Sequence, residues 1–133
     1  NCQFIQGSIY SPPQEILNNS FDIVISVEVV EHLFYPKELP RLAKKCLKSD
    51  AILIVTTPYN GYFKNLALSL LGKMDKHFTV LWDGGHIKFF SVKTLGKLLK
   101  DEGYSDLHFQ FAGRALYLWK SMLCSAKLTK EDL

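Results

Sequence analysis

The stretch FDIVISVEVVEH, Phe21 to His32, changes character in its middle. Phe21 to Ser26 is apolar and β-branched, the composition of a strand buried on both faces. Glu28, Glu31 and His32 follow at once. Read as the first turn of a helix, their spacing puts the three side chains on one face, within reach of one another. A buried parallel strand that runs into a group of ionisable residues marks the place where open α/β sheets bind ligands, beyond the carboxyl ends of their strands.

Downstream of this stretch, Pro36 and Pro40 fit only the start of a helix, where a missing amide hydrogen costs nothing. Leu39, Leu42, Ala43, Cys46 and Leu47 form its apolar stripe, and Lys44, Lys45 and Lys48 its solvated face. Ala51 to Thr57 is a second run apolar enough for a fully buried strand, ended by Pro58. Strand, helix, strand in this order predicts a parallel pair joined by a right-handed crossover. Upstream, Cys2 to Gln6 reads as a short strand and Gly7-Ser8 as its turn. Ser11-Pro12-Pro13 and Asn18-Asn19-Ser20 then mark a loop with a helical turn near Glu15 to Leu17.

Beyond Pro58, Asn60-Gly61 leads into a second amphipathic helix with Phe63, Leu66, Ala67, Leu70 and Leu71 on one face. Lys73 to Phe90 reads as a loop holding Trp82, Gly84, Gly85 and His86, and loops of that length in compact domains are usually functional or mobile. Ser91 as N-cap, Leu95, Leu98 and Leu99 as a stripe and Gly103 as a stop define a helix over Ser91 to Glu102. Leu107, Phe109 and Phe111 alternate with His108 and Gln110 as in a half-exposed strand. After a bend at Gly113-Arg114, a last strand runs from about Ser121 to Ala126, and a frayed polar tail begins at Lys127.

The 133 residues, 47% of them hydrophobic, suit one domain with a proper core. Cys2, Cys46 and Cys124 are odd in number and have no metal-like spacing, which predicts reduced thiols in a cytoplasmic protein. No apolar run approaches the ~18 residues of a membrane span, and the N-terminus carries no signal pattern. The net charge of +3 is spread over helical lysines and gives no nucleic-acid signal. The chain opens Asn1-Cys2-Gln3, without an initiator Met and already in a strand-like run, so a fragment or a processed product is expected.

The order of these pieces resembles the class I S-adenosylmethionine-dependent methyltransferases, in particular the branch of the ubiquinone-biosynthesis O-methyltransferases. Phe4-Ile5-Gln6-Gly7 is similar to the end of that family's third strand, and Phe21 to Ser26 to the fourth. Glu28-Val29-Val30-Glu31-His32 resembles the E-x-x-E-H segment that follows, and Leu53 to Pro58 the fifth strand. His86 to Ser91 matches the H-x-x-x-F-S lead into the next helix. The glycine-rich cofactor loop and the ribose-binding acidic residue have no counterpart, since both would lie before Asn1. Ser8 stands where the family usually has Asp, and Ser49-Asp50 replaces its Pro-Gly-Gly turn.

The resemblance implies a Rossmann-like α/β methyltransferase sheet, mostly parallel with an antiparallel last strand, lacking its first two strands. Residues 1–133 would be the C-terminal part of a single methyltransferase domain, with 59–90 as the acceptor lid. Without the first strand, Phe21 to Ser26 becomes an exposed apolar edge, expected to be covered by an upstream segment or to pair with a second copy as a homodimer. S-adenosylmethionine is the implied cofactor, with Gly7, Ser8 and Ile9 near its adenine and Ser26, Val27 and Glu28 near its methionine part.

In-line methyl transfer asks the protein to orient the acceptor and, for a hydroxyl, to remove its proton, so His32 and His86 are the candidate catalytic residues. Glu28, Glu31, His32 and His86 also resemble the metal set of the small-RNA 2'-O-methyltransferases, a set suited to Mn²⁺, Fe²⁺, Co²⁺ or Zn²⁺. Tyr59, Tyr62, Phe63, Phe78, Trp82, Phe89 and Phe90 could line a pocket for a flat or lipid-like acceptor. The expected function is O- or N-methylation of a small molecule. The alternatives are a metal-assisted RNA 2'-O-methyltransferase and a non-catalytic interaction module that kept the fold.

Overall fold

The computed structural model describes residues 2–18, 20–113 and 116–128. A helical turn α1 (Gln14–Leu17) precedes strand β1 (Phe21–Val27), and a 3-10 turn over Val30–His32 leads to helix α2 (Glu38–Cys46) and strand β2 (Leu47–Pro58). Helices α3 (Tyr62–Leu70), α4 (Met74–Phe78) and α5 (Val92–Asp101) follow, then strands β3 (Tyr104–Ala112) and β4 (Ser121–Leu128). The strand order is β1-β2-β4-β3. β1 pairs with β2 in parallel, whereas β4 pairs antiparallel with both β2 and β3. Two antiparallel steps restore the direction, so β1, β2 and β3 all run one way and only the last strand opposes them. That is the α/β sheet the sequence predicts.

Helix α5 shows why the local signals succeed. Ser91 accepts from the Thr94 amide while the Thr94 hydroxyl accepts from the Ser91 amide, a reciprocal cap that starts the helix. Gly103, at φ 89°, ends it. Leu95, Leu98 and Leu99 are then aimed at the sheet, in one core with Leu39, Ala43, Leu53, Val55, Met122 and Cys124.

The two faces of the sheet differ. The register sets Ile23 beside Ile52 and Ile25 beside Ile54 on one face, and Val24 beside Leu53 and Ser26 beside Val55 on the other. The second face receives α2, the 3-10 turn and α5. The first has no layer over it among the described residues: Ile23 is 51% exposed, Ile25 and Val27 are each 62% exposed, and none of the three belongs to the core. β1 is also an edge strand.

Several local expectations are corrected. Cys2 to Gln6 forms no strand: among the described residues its backbone finds no ladder partner, and the only nearby pairing is an isolated Ser8–Ser11 bridge. Glu28, Glu31 and His32 do not share one helical face, because Glu28 takes a left-handed backbone (φ 50°) and only Val30–His32 coil, as a 3-10 turn. In α3 the predicted stripe faces outward, with Phe63, Leu66, Leu70 and Leu71 exposed, while Lys64 and Leu68 are buried. Lys64 Nζ donates to the Tyr59 carbonyl at 2.6 Å, satisfying a strand-end oxygen, and this bond sets the helix's rotation. The 73–90 segment contains α4 before it becomes a loop. β4 extends through Lys127 to a buried Leu128, and the remaining tail, like Arg114 of the bend, lies outside the described residues. Among the described residues, no helix is long and apolar enough to cross a membrane.

Candidate active site

β1 and β2 end side by side, Val27 opposite Thr56, and the chain turns sharply at Glu28. The Glu28 amide donates to the Thr56 carbonyl at 3.2 Å and meets Thr56 Oγ1 at 3.1 Å. Its carboxylate Oε1 accepts from Thr56 Oγ1 at 3.0 Å and lies 3.1 Å from Ser121 Oγ. A left-handed non-glycine residue costs about 1 kcal/mol or more and persists where its surroundings over-determine it, as these bonds do here.

Three residues on, Glu31 is fully buried. Its Oε2 accepts from Thr57 Oγ1 at 3.0 Å, while Oε1 has no hydrogen-bond partner among the described residues. Thr56 and Thr57 are therefore a sorting device. Successive strand residues face opposite ways, and each hydroxyl captures a different glutamate.

The loop 79–90 is tied over Glu31, whose backbone carbonyl accepts from the amides of Ile87 at 3.0 Å and Lys88 at 2.9 Å. This brings His86 to Glu31, with Nε2 3.9 Å from Oε1. His32 Nδ1 donates to the carbonyl of Gly84 at 2.8 Å, with that of Gly85 at 3.2 Å, and so Nε2 of the neutral ring is left as the acceptor. The two imidazoles stand 4.8 Å apart, with Trp82 edge-on to both. Glu31, His32 and His86 each offer a ligand atom, all within 4.8 Å of one another. Burial raises the Glu31 pKa above its ordinary 4.5, against the lowering effect of its hydrogen bonds.

Two cavities meet at Val27. The first, about 590 Å³, lies between the N-terminal segment, β1 and α2. Gly7, Ser8, Ile9, Ser26 and Val27 all line it. A Cβ on Gly7 would collide with the Pro13 ring, so only glycine lets the chain fold back there. Ser26 Oγ, buried in the wall of this apolar cavity, has no partner among the described residues. The second cavity, about 640 Å³, takes Glu28, Thr56 and Ser121 from the strand ends and His77, Phe78, His86 and Phe89 from the segment over them. Phe78 and Phe89 pack edge to face at 4.9 Å.

Of the residues singled out from sequence, the structure gathers Glu31, His32 and His86 in one cluster and Gly7, Ser8, Ile9, Ser26 and Val27 around one cavity. Glu28 stands apart from the cluster, in the wall of the second cavity. Sequence reasoning missed Thr56, Thr57, Ser121, Asn60, Lys64 and Lys120. Only the paired threonines before Pro58, polar at the end of an apolar strand, gave a usable signal.

The methyltransferase-domain family profile matches residues 4–108, and the chain belongs to that family. The fold is shared with solved methyltransferase structures. A SAM-dependent methyltransferase from Thermotoga maritima, described as a possible histamine N-methyltransferase, superposes with a TM-score of 0.68 at 18% identity, over 92% of this chain and 62% of its own. An O-methyltransferase family protein from Burkholderia thailandensis gives 0.65 at 12% identity, over 96% of this chain and 36% of its own. A SAM-dependent methyltransferase from Archaeoglobus fulgidus gives 0.62 at 15%, over 92% and 66%. The chain thus spans 62% and 36% of the first two structures. A search of curated proteins finds no match.

Proposed function

We propose that this chain is the C-terminal part of a class I S-adenosylmethionine-dependent methyltransferase domain, of the ubiquinone-biosynthesis O-methyltransferase-like branch, that methylates an oxygen or nitrogen of a small molecule in the cytoplasm. The observation that carries the reading is the pair of cavities that meet at Val27, one alongside β1 and the other at the carboxyl ends of two parallel strands. The Ser26 hydroxyl, without a hydrogen-bond partner among the described residues, fits a polar ligand in the first cavity. Gly7, Ser8 and Ile9 would hold the adenosyl part of S-adenosylmethionine, and Ser26 and Val27, with Glu28 from the wall of the second cavity, its methionine part. The bound cofactor supplies an activated methyl group on a sulfonium. The bare sheet face and the greater length of the solved relatives support further strands and helices upstream in the whole protein.

His86 reaches the second cavity while its Nε2 faces Glu31, an arrangement that suits a base oriented by a carboxylate. His32, held by the loop carbonyls, buttresses that ring or shares its task. The full-length protein is expected to bind S-adenosylmethionine in a calorimetric titration. No binding there removes this reading in favour of a non-catalytic module with the fold.

One observation favours a second reading of the cluster. Glu31 Oε1 is a buried carboxylate oxygen with no hydrogen-bond partner among the described residues, facing two imidazoles, while Glu31 Oε2 and His32 Nδ1 are already fixed by Thr57 and the Gly84 carbonyl. Outer contacts of this kind orient metal ligands. Glu31, His32 and His86 would hold Mn²⁺, Fe²⁺, Co²⁺ or Zn²⁺. The ion would lower the pKa of an acceptor hydroxyl. Elemental analysis should find one bound transition metal per chain, lost in Glu31→Ala. A metal-free protein that takes up none on reconstitution leaves His86 as the base. RNA as acceptor would follow only if that metal were also required for methylation of RNA.

A further inference from the structure

The two histidines of the cluster differ in what they face. His86 lines the second cavity, and His32 does not. His32 meets instead the turn over residues 82–85, where the Gly85 amide donates to the Trp82 carbonyl at 3.0 Å. Gly84 takes φ 73° at the third position of this turn, a conformation glycine adopts without strain. A Cβ on Gly85 would lie 2.9 Å from the Trp82 carbonyl. The paired glycines thus leave two carbonyls, those of Gly84 and Gly85, standing together at His32 Nδ1. A carbonyl only accepts, so Nδ1 carries the proton of the neutral ring and is not free to take one. Trp82 stands edge-on to the His32 ring, and one residue past the turn His86 reaches Glu31.

The turn belongs to a segment that walls the second cavity. His77 and Phe78 of α4, with His86 and Phe89 past the turn, line it together with the strand ends. Gly72, between α3 and α4, has φ 62° and open space where a Cβ would be, which makes it a joint about which α4 can move.

We propose that His32 is a positioning residue: it clasps the turn over 82–85, holds segment 73–89 on the second cavity as a lid, and so sets His86 against Glu31. The role this gives His86 rests on the second cavity being the acceptor pocket of the proposed methyltransferase. A lid held in this way completes the site when closed and must release before product leaves. His86 then acts on the acceptor, and His32 acts on the loop.

The test is amide hydrogen exchange over residues 79–88 in chelator-treated full-length protein, with His32→Asn and His32→Leu. The two variants are alike in shape, and only Asn can donate from the place of Nδ1. Loss of one such hydrogen bond corresponds to about three- to tenfold in the opening equilibrium. His32→Leu is expected to speed exchange of the Ile87 and Lys88 amides, which bond the Glu31 carbonyl, by about that factor, with the α5 amides unchanged. His32→Asn should exchange as the parent protein does. Equal exchange in all three proteins, or equal acceleration in both variants, overturns the proposal. Should His32→Leu fail to fold, acceleration in His32→Asn alone overturns it. S-Adenosylmethionine is titrated into the same preparation. If exchange follows the expected pattern and S-adenosylmethionine does not bind, the clasp stands and the methyltransferase reading falls. If S-adenosylmethionine binds and exchange does not follow the pattern, the clasp alone falls.

Discussion

The two faces of the sheet are written in the same alphabet and meet different surroundings. On one, Leu53, Val55, Met122 and Cys124 disappear under α2 and α5. On the other, Ile23, Ile25, Val27 and Ile52 are as apolar as their neighbours and stand open. Parallel strands are built for burial on both sides, so the sequence of β1 and β2 records an environment that only half of the described chain supplies. Apolar composition reports what a strand is made to touch, and the neighbouring elements decide whether it does.

The sharpest test of that contrast is a pair of truncations. Leu53→Ala, at a fully buried position, should cost about 2–5 kcal/mol in chemical denaturation. Ile25→Ala, on the bare face, should cost no more than about 0.5 kcal/mol in this chain. Equal losses would mean that the bare face is covered in solution, and sedimentation would then tell a second copy paired at β1 from any other cover.

A smaller effect is expected where the covered face becomes polar. Thr57→Val leaves Glu31 Oε2 without its donor and should cost about 1–3 kcal/mol. Thr56→Val, on the open side, should cost less, since Glu28 is exposed and lies within reach of Ser121.

The acid on the covered face also gives a pH signature. Burial raises the Glu31 pKa above 4.5 in the folded chain, so the folded state keeps a proton that the unfolded state has lost. Its contribution to stability is complete below about 4.5 and is lost as pH rises through the folded value. In chelator-treated protein, Glu31→Gln should flatten the fall in stability above 4.5. An unchanged pH profile would show that Glu31 is not the group responsible.

The smallest effect is one of reactivity. Cys124 lies on the covered face, and burial pushes its thiol up to about 12; the Cys46 thiol is raised for the same reason. Cys2 is exposed. Alkylation of the native chain should therefore label Cys2 alone, and rapid labelling of Cys124 would mean that the helical layer opens.

What the sequence revealed follows the range of each interaction. Ser91, Leu95 and Gly103 act within a few residues, and α5 is where they place it. The alternation of Leu107, Phe109 and Phe111 likewise declares β3. Cys2 to Gln6 carries the local pattern of a strand yet has no ladder partner among the described residues, because a strand is completed only by its neighbours. The outward turn of α3 was hidden for a similar reason: the Lys64 bond to Tyr59 depends on where β2 ends. In the site, His32 and Glu31 were visible as neighbours of a strand end. Their junction with His86 depends on a loop anchored by the Glu31 carbonyl, which no side-chain pattern announces. The split between Glu28 and Glu31 was legible in principle in the adjacent threonines of β2.

The far edge of the sheet completes the comparison. β3 breaks register with β4 between Ser105 and His108, and Asp106 takes a left-handed backbone there (φ 49°). A bulge of this kind spoils the row of free backbone groups that another strand would need. β1, by contrast, has its register irregularity only near its start, at Phe21, and is regular from Ile23 to Val27. The described residues therefore offer one adhesive edge and one blunted edge. Growth of a sheet from chain to chain needs two adhesive edges, so any association through β1 would close at a pair and would not propagate into a fibre.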